Sequence, residues 1–298
     1  MIKKSLVAIL SLSSIMWGTE FQYGNGTFNM EGGFLGLTGS IDTDIASYSI
    51  VDRHSNIGDN LFYGYDLTWY DSKDLIQAQK TYNDFASKIS IPSMEYRLKG
   101  LDANLRVGYD VIHQDKDNFL GIGAIVGISM PWIDATKNDN TTPDLGSISS
   151  DIGGMISAED MFKNSKTEIM TYKIGPTVTF QKALVEKKLS VYGGGSYAYQ
   201  TGNIKNDLIN SDFSVDGTYQ EYNLGLYFTP FTETFKWGWL TLNPRIYATI
   251  GYKYSKWEVD KMVINTSGQK FDSDKLMPFK KEFNMDTSIG YFGIGYSF

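Results

Sequence analysis

Few residues in this chain could carry out covalent or metal chemistry. Among 298 residues there are two histidines, His54 and His113, and no cysteine. The absence of cysteine removes a thiol nucleophile, a disulfide framework and thiolate metal sites. No Gly-x-Ser-x-Gly elbow, phosphate-binding loop or zinc signature occurs. The densest run of metal-ligating oxygens lies in 133–166, where Asp134, Asp139, Asp144, Asp151, Glu159 and Asp160 stand against three lysines. Carboxylates at that density could hold Ca²⁺. Their spacing follows neither the EF-hand nor the Gly-Asp repeat, so a solvated acidic loop is the plainer reading. No cofactor and no metal is expected. With 27 Lys and Arg against 34 Asp and Glu, the net charge is −7. No basic stripe can form, which excludes nucleic acid as a partner.

The more informative charges sit at the polar positions of alternating segments: Asp66, Asp102, Arg106, Asp110, Lys173, Glu221, Arg245 and Lys253. They have both signs and must pair if they face a confined space. The elements that place them are strands. In 101–111 the apolar positions Leu101, Ala103, Leu105, Val107, Tyr109 and Val111 alternate with Asp102, Asn104, Arg106, Gly108 and Asp110. The same period of two runs through 61–69, 120–130, 171–181, 221–228 and 240–255, and more weakly through 189–200. Composition agrees, with 20 Tyr and 30 Gly but only 7 Pro. No apolar run approaches the ~18 residues of a spanning helix. Periodicity does not say which face looks inward. Trp69, Trp132, Tyr172, Tyr199, Tyr254 and Tyr296 cluster near segment ends on the apolar face, as a bilayer interface selects. Segments of about ten residues suit a tilted membrane strand.

The chain ends Tyr291-Phe292-Gly293-Ile294-Gly295-Tyr296-Ser297-Phe298, with Phe292, Ile294, Tyr296 and Phe298 on one face. In this it resembles the Gram-negative outer-membrane β-barrel family, porin-like and small barrels included. That resemblance implies that these four residues are the signal read by the barrel assembly machinery. It also implies a C-terminus on the periplasmic side, short periplasmic turns and long surface loops. Counted back from Phe298, the connections 258–283, 232–238, 201–218, 182–188, 133–166, 112–118 and 71–93 alternate long and short. Eight strands follow from about residue 60. Segments 27–38, whose phase slips at Gly32-Gly33, and 41–51, whose faces are ambiguous, bring the count to ten, with eight or twelve as alternatives. The expected fold is therefore all-β: an antiparallel up-and-down transmembrane β-barrel over 19–298. In loop 71–93 the spacing of Leu75, Ala78, Tyr82, Phe85 and Ile89, with Asp74 at its start, predicts a short extracellular helix. Lys3 and Lys4 followed by an apolar stretch to Met16 read as a signal peptide over 1–18, cleaved on export to the cell outer membrane.

Within that family, surface proteases, phospholipases and lipid A deacylases need a histidine near the outer rim. Here His54 and His113 both fall in turns assigned to the periplasmic side, where a general base cannot reach a surface substrate. The expectation is no enzyme. The leading function is a small-solute pore or a structural envelope protein, with the eight charges either lining a conduit or closing it. The alternative is a surface adhesin or recognition barrel acting through its loops. The partners expected are outer-membrane lipid, the assembly machinery through the last strand, and small solutes or surface ligands.

Overall fold

Strict alternation of side-chain type builds ten long strands, because each must present unlike faces to two environments. The computed structural model describes residues 19–34, 37–58, 60–77, 80–82, 89–112, 118–142, 163–185, 188–207, 209–230, 234–237, 240–242, 246–266, 269–272 and 283–296. The barrel strands are β1 (Glu20–Phe34), β2 (Leu37–Gly58), β3 (Leu61–Ser72), β4 (Met94–Asp110) and β5 (Asn118–Lys137). They continue as β6 (Ser165–Val185), β7 (Leu189–Asn206), β8 (Ile209–Phe228), β9 (Ile246–Thr266) and β10 (Phe283–Tyr296). Each pairs antiparallel with its neighbour in sequence, and β10 closes on β1 from Glu20↔Gly295 to Gly32↔Phe283. Closure leaves no strand edge in the lipid-facing part of the wall, the condition for a sheet to stand in hydrocarbon. At the turn between β2 and β3, Asn60 adopts φ 68°, a left-handed conformation that asparagine tolerates.

Polarity reverses partway along the strands. Toward the end where the described chain begins and ends (the terminus end), apolar residues face outward: Leu105, Ile122, Ile174, Leu224, Ile250 and Ile294 are exposed. Toward the far end the outward positions become polar, as with Asn203, Lys205, Asp212 and Glu258. There the inward positions turn apolar. Phe28, Ile45, Leu98, Ile133, Ile169, Phe213, Val215, Trp257 and Met285 are buried in one cluster. Roughly ten residues per strand suffice for the bilayer, yet β2 has 22 residues and β6 has 21. About half of each long strand therefore stands above the lipid-facing band, as a barrel with an oily centre and a polar skin.

This reversal accounts for most departures from the sequence reading. Residues 201–218 form the upper parts of β7 and β8, joined across 207–208, and not a long loop. Their outward Thr201, Asn203 and Ser214 are polar, so the lipid-type alternation stops while the ladder continues. In 41–51, Ile45 belongs to the upper inner core and Tyr48 to the lipid-facing belt, so apolar residues occur on both faces. The segment 27–38 is two arms of a hairpin, with Gly33↔Thr38 and Phe34↔Leu37 in register, and the phase slip marks the approach to its turn. Leu240–Leu242 does not belong to a barrel strand. It pairs with Phe235–Trp237 in a separate hairpin, and β9 starts after Pro244, which has no N–H for a ladder.

The helix expected in 71–93 is not formed by the described residues, which contain no helix. Leu75–Gln77 pairs with Met94, Glu95 and Tyr96, and Lys80–Tyr82 pairs with Ile89–Ile91. A lone helix of about four turns is marginal. Strand β3 stops at Ser72, so the edge of β4 that runs beyond it offers ladder hydrogen bonds instead. Asp74 lies 3.8 Å from Arg97 and not at a helix start. The proposed signal peptide 1–18, most of the acidic loop (143–162), Phe298, His113 and Arg245 lie outside the described residues.

Candidate functional site: the barrel interior

Seven of the eight charges singled out from the sequence lie on inward positions of the lipid-spanning half. Six of them come together in one knot at its top. Arg106 on β4 donates to Asp66 on β3 at 2.6 Å and to Glu221 on β8. Lys253 on β9 bridges the same two carboxylates at 3.0 and 3.1 Å. Lys173 on β6 reaches Asp102 at 2.6 Å and lies 3.8 Å from the centre of the Tyr219 ring. Asn104 donates to Asp66 at 3.0 Å and to Asp102 at 2.9 Å, joining the two groups. Trp257 Nε1–H donates to Ser129 at 3.0 Å, and Ser129 in turn donates to Asp102. Asp110 lies apart, accepting the backbone N–H groups of Ile112 and Leu120 at 3.2 and 3.3 Å next to the 111–117 turn.

The carboxylate oxygens of Asp66, Asp102 and Glu221 fall within 4.8 Å of one another, close enough for a hard cation. Arg106, Lys173 and Lys253 already supply three positive charges to these three negative ones. The knot is neutral and bonded through its own side chains, and the buried Asn104 Oδ1 is left without a hydrogen-bond partner.

A second knot sits nearer the termini, and sequence reasoning missed it. Glu20, fully buried, accepts from Arg53 at 2.8 Å, from Gln22 at 2.8 Å and from Thr249. Arg53 stacks 3.9 Å over Tyr192 and donates to its hydroxyl at 3.0 Å, and that hydroxyl meets Tyr291 at 2.7 Å. Glu20 lies ahead of residue 27, where the first readable alternation begins, so the sequence pattern does not mark it. A signal did exist in Tyr291, the one bulky residue on the otherwise small face of the last strand. Between the knots is a cavity of about 50 Å³, bordered by Asp52, Arg53, Asp66, Arg106, Lys253 and Tyr291. Its size and polar walls suit a few bound waters. Below, Phe62 and Phe119 meet edge to face at 5.0 Å. Above, the apolar cluster fills the bore.

Four inward tyrosines each lie across a glycine directly opposite in register: Tyr70 on Gly100, Tyr192 on Gly225, Tyr291 on Gly251 and Tyr247 on Gly295. A Cβ at any of these glycines would collide with the ring. Small residues are therefore required there for close packing, and not for their backbone freedom. At the rim, Asp139 accepts the backbone N–H groups of Ser93 and Thr141 at 2.8 and 2.9 Å, and these bonds hold its carboxyl below the usual range.

Comparison with solved structures fits this geometry. The outer-membrane protease OmpT from Escherichia coli aligns over 94% of this chain and 97% of its own, with a TM-score of 0.51 and 10% identity. The fold is that of outer-membrane β-barrels. The translocator domain of the autotransporter NalP from Neisseria meningitidis aligns over 100% of this chain and 95% of its own (TM-score 0.32, 11% identity). The attachment invasion locus protein Ail of Yersinia pestis aligns over 95% and 99% (TM-score 0.30, 8% identity). No family model and no curated protein sequence matches the chain.

Proposed function

We propose that this protein resides in the outer membrane as a permanently closed barrel. Its work is done by the polar rim standing above the lipid, as a structural and surface-recognition element and not as a diffusion pore or an enzyme. The observation that carries this reading is the filled bore: a neutral six-charge knot sealed above by buried Phe28, Leu98, Ile169 and Trp257. A conduit needs unpaired polar lining and continuous water. Here each of the six charges is spoken for by its neighbours.

The length of the strands supports the second half of the proposal. A 22-residue strand tilted by about 45° rises roughly 50 Å, against an apolar band of about 25 Å. A wall of that height lifts its loops clear of the lipid surface. His54 lies on β2 near the terminus end, and Ile112 and Asn118, which flank His113, lie at that end too, away from the rim. Export through residues 1–18 and assembly through Phe292, Ile294, Tyr296 and Phe298 complete the proposal. Phe292 and Ile294 face outward at the end of the ladder, where a recognition strand would be read. Single-channel recording of the folded protein in planar bilayers tests it. The expected trace is flat, and a steady ohmic conductance from folded protein overturns the closed-barrel reading.

A further inference from the structure

The wall closes where β1 meets β10, the two barrel strands farthest apart in sequence. No turn ties this pair, so the seam must hold through its own contacts. Toward the terminus end its inward-facing register pairs are Glu20↔Gly295, Gln22↔Gly293, Gly24↔Tyr291 and Gly26↔Ile289. Each contains a glycine. The inner face of the seam therefore lacks directly opposed side chains, the usual unit of sheet stabilisation, and glycine weakens a strand besides. The outward pairs, Phe21↔Ile294 and Tyr23↔Phe292, are exposed. The ladder ends where the Tyr296 N–H donates to the Thr19 carbonyl at 3.2 Å. A strand pair with a free end and a bare inner face is where local opening would begin.

The second knot fills this bare stretch. Glu20 is the first residue of β1 and is fully buried. Its carboxylate lies over Gly293 of the last strand, where a Cβ would collide with both Glu20 Oε1 and Thr249 Oγ1. Glu20 thus passes across β10 and accepts from Thr249 on β9, while Arg53 on β2 and Gln22 hold it from the other side. From β10, Tyr291 meets the Tyr192 hydroxyl at 2.7 Å, and that hydroxyl accepts from Arg53 at 3.0 Å. Each seam strand contributes one long inward side chain, and the two are joined through Arg53 and Tyr192. None of the residues of the upper knot lies on β1, β2 or β10.

We propose that the Glu20–Arg53–Thr249–Tyr192–Tyr291 cluster is a seam latch, a conformational device that keeps the barrel shut at its closing strands. It replaces the cross-strand pairs that the glycines remove. Without it the terminus end of the β1–β10 seam opens while the rest of the wall stays paired. The latch acts on the wall and not on the bore, so it stands apart from the closed-pore reading above.

Hydrogen–deuterium exchange of the full-length protein, folded into phosphatidylcholine/phosphatidylglycerol vesicles and read by mass spectrometry, tests this. Peptides over 19–26 and 288–296 report the seam, and 120–128 on β5 reports the remaining wall. Glu20→Gln is expected to speed exchange in both seam peptides by about tenfold and to leave 120–128 within about twofold. The chain has no cysteine, so a disulfide can be placed at will. Phe21→Cys with Ile294→Cys, opposite one another across the seam, should restore slow exchange in the Glu20→Gln background. Ile122→Cys with Val178→Cys, opposite one another on β5 and β6, should not. Unchanged seam exchange in Glu20→Gln, a uniform rise over all three peptides, or equal rescue by both disulfides overturns the latch. If Glu20→Gln does not fold, Thr249→Val removes a single bond of the cluster and should give a smaller rise confined to the same two peptides. No such rise in Thr249→Val then overturns the proposal.

Discussion

Replacing Lys173 by methionine removes one charge from the knot and keeps most of the volume. The ammonium is 2.6 Å from Asp102, and both side chains are almost wholly buried. At an effective dielectric of about 20, two charges at that distance attract by roughly 6 kcal/mol. Desolvation of both groups offsets part of this, and the contact with the Tyr219 ring adds about 0.5–2 kcal/mol. Removing one partner of a buried pair leaves the other uncompensated, at a cost of about 3–5 kcal/mol. Lys173→Met is therefore expected to lower unfolding free energy by that amount. Adding Asp102→Asn should return part of it, giving a coupling of about 2 kcal/mol in the double-mutant cycle. Equilibrium unfolding in phospholipid vesicles, followed by tryptophan fluorescence and by heat-modifiable migration, measures both. Exposed Lys182→Met serves as the control, expected to stay within about 0.5 kcal/mol. If Lys173→Met matches that control, the knot is not the stabilising, water-excluding element described here.

Other perturbations probe separate features by the same unfolding assay. Gly100→Ala places a methyl group inside the Tyr70 ring and should cost about 1–3 kcal/mol, most of it relieved in a Tyr70→Ala background. Equal cost in both backgrounds would discard the ring-over-glycine account. Ile250→Arg, in the middle of the lipid-facing stretch of β9, should cost about 2–4 kcal/mol. Asn203→Arg, outward on upper β7, should stay within about 0.5 kcal/mol. The opposite ranking would misplace the lipid boundary.

Much of the wall was legible because lipid imposes a simple rule. Leu105, Ile122 and Ile250 alternate with Arg106, Gly121 and Lys253 wherever the outer face meets hydrocarbon, and that alternation marked eight of the ten strands and the inward charges. Where the outer face meets water the rule inverts. Thr201 and Asn203 then read as loop, and Ile45 read as ambiguous. The 71–93 spacing misled because Leu75 and Ile76 found an open ladder on β4, a tertiary opportunity that periodicity does not contain. In the interior, the charged residues could be picked out by parity, but their partners could not. That Lys173 meets Asp102, two strands away around the barrel, depends on shear. Arg53 was hidden by the irregular register between Asp52 and Ser55.

The reversal of polarity along the wall also fixes the vertical position of the molecule. Were the barrel to rise, Leu226, Ile250 and Ile294 would enter water. Were it to sink, Asp216, Glu258 and Lys205 would enter hydrocarbon. Both displacements are uphill, so the protein floats at one draught, like a hull with a painted waterline. The polar rim is thereby held at a constant height above the lipid-facing band.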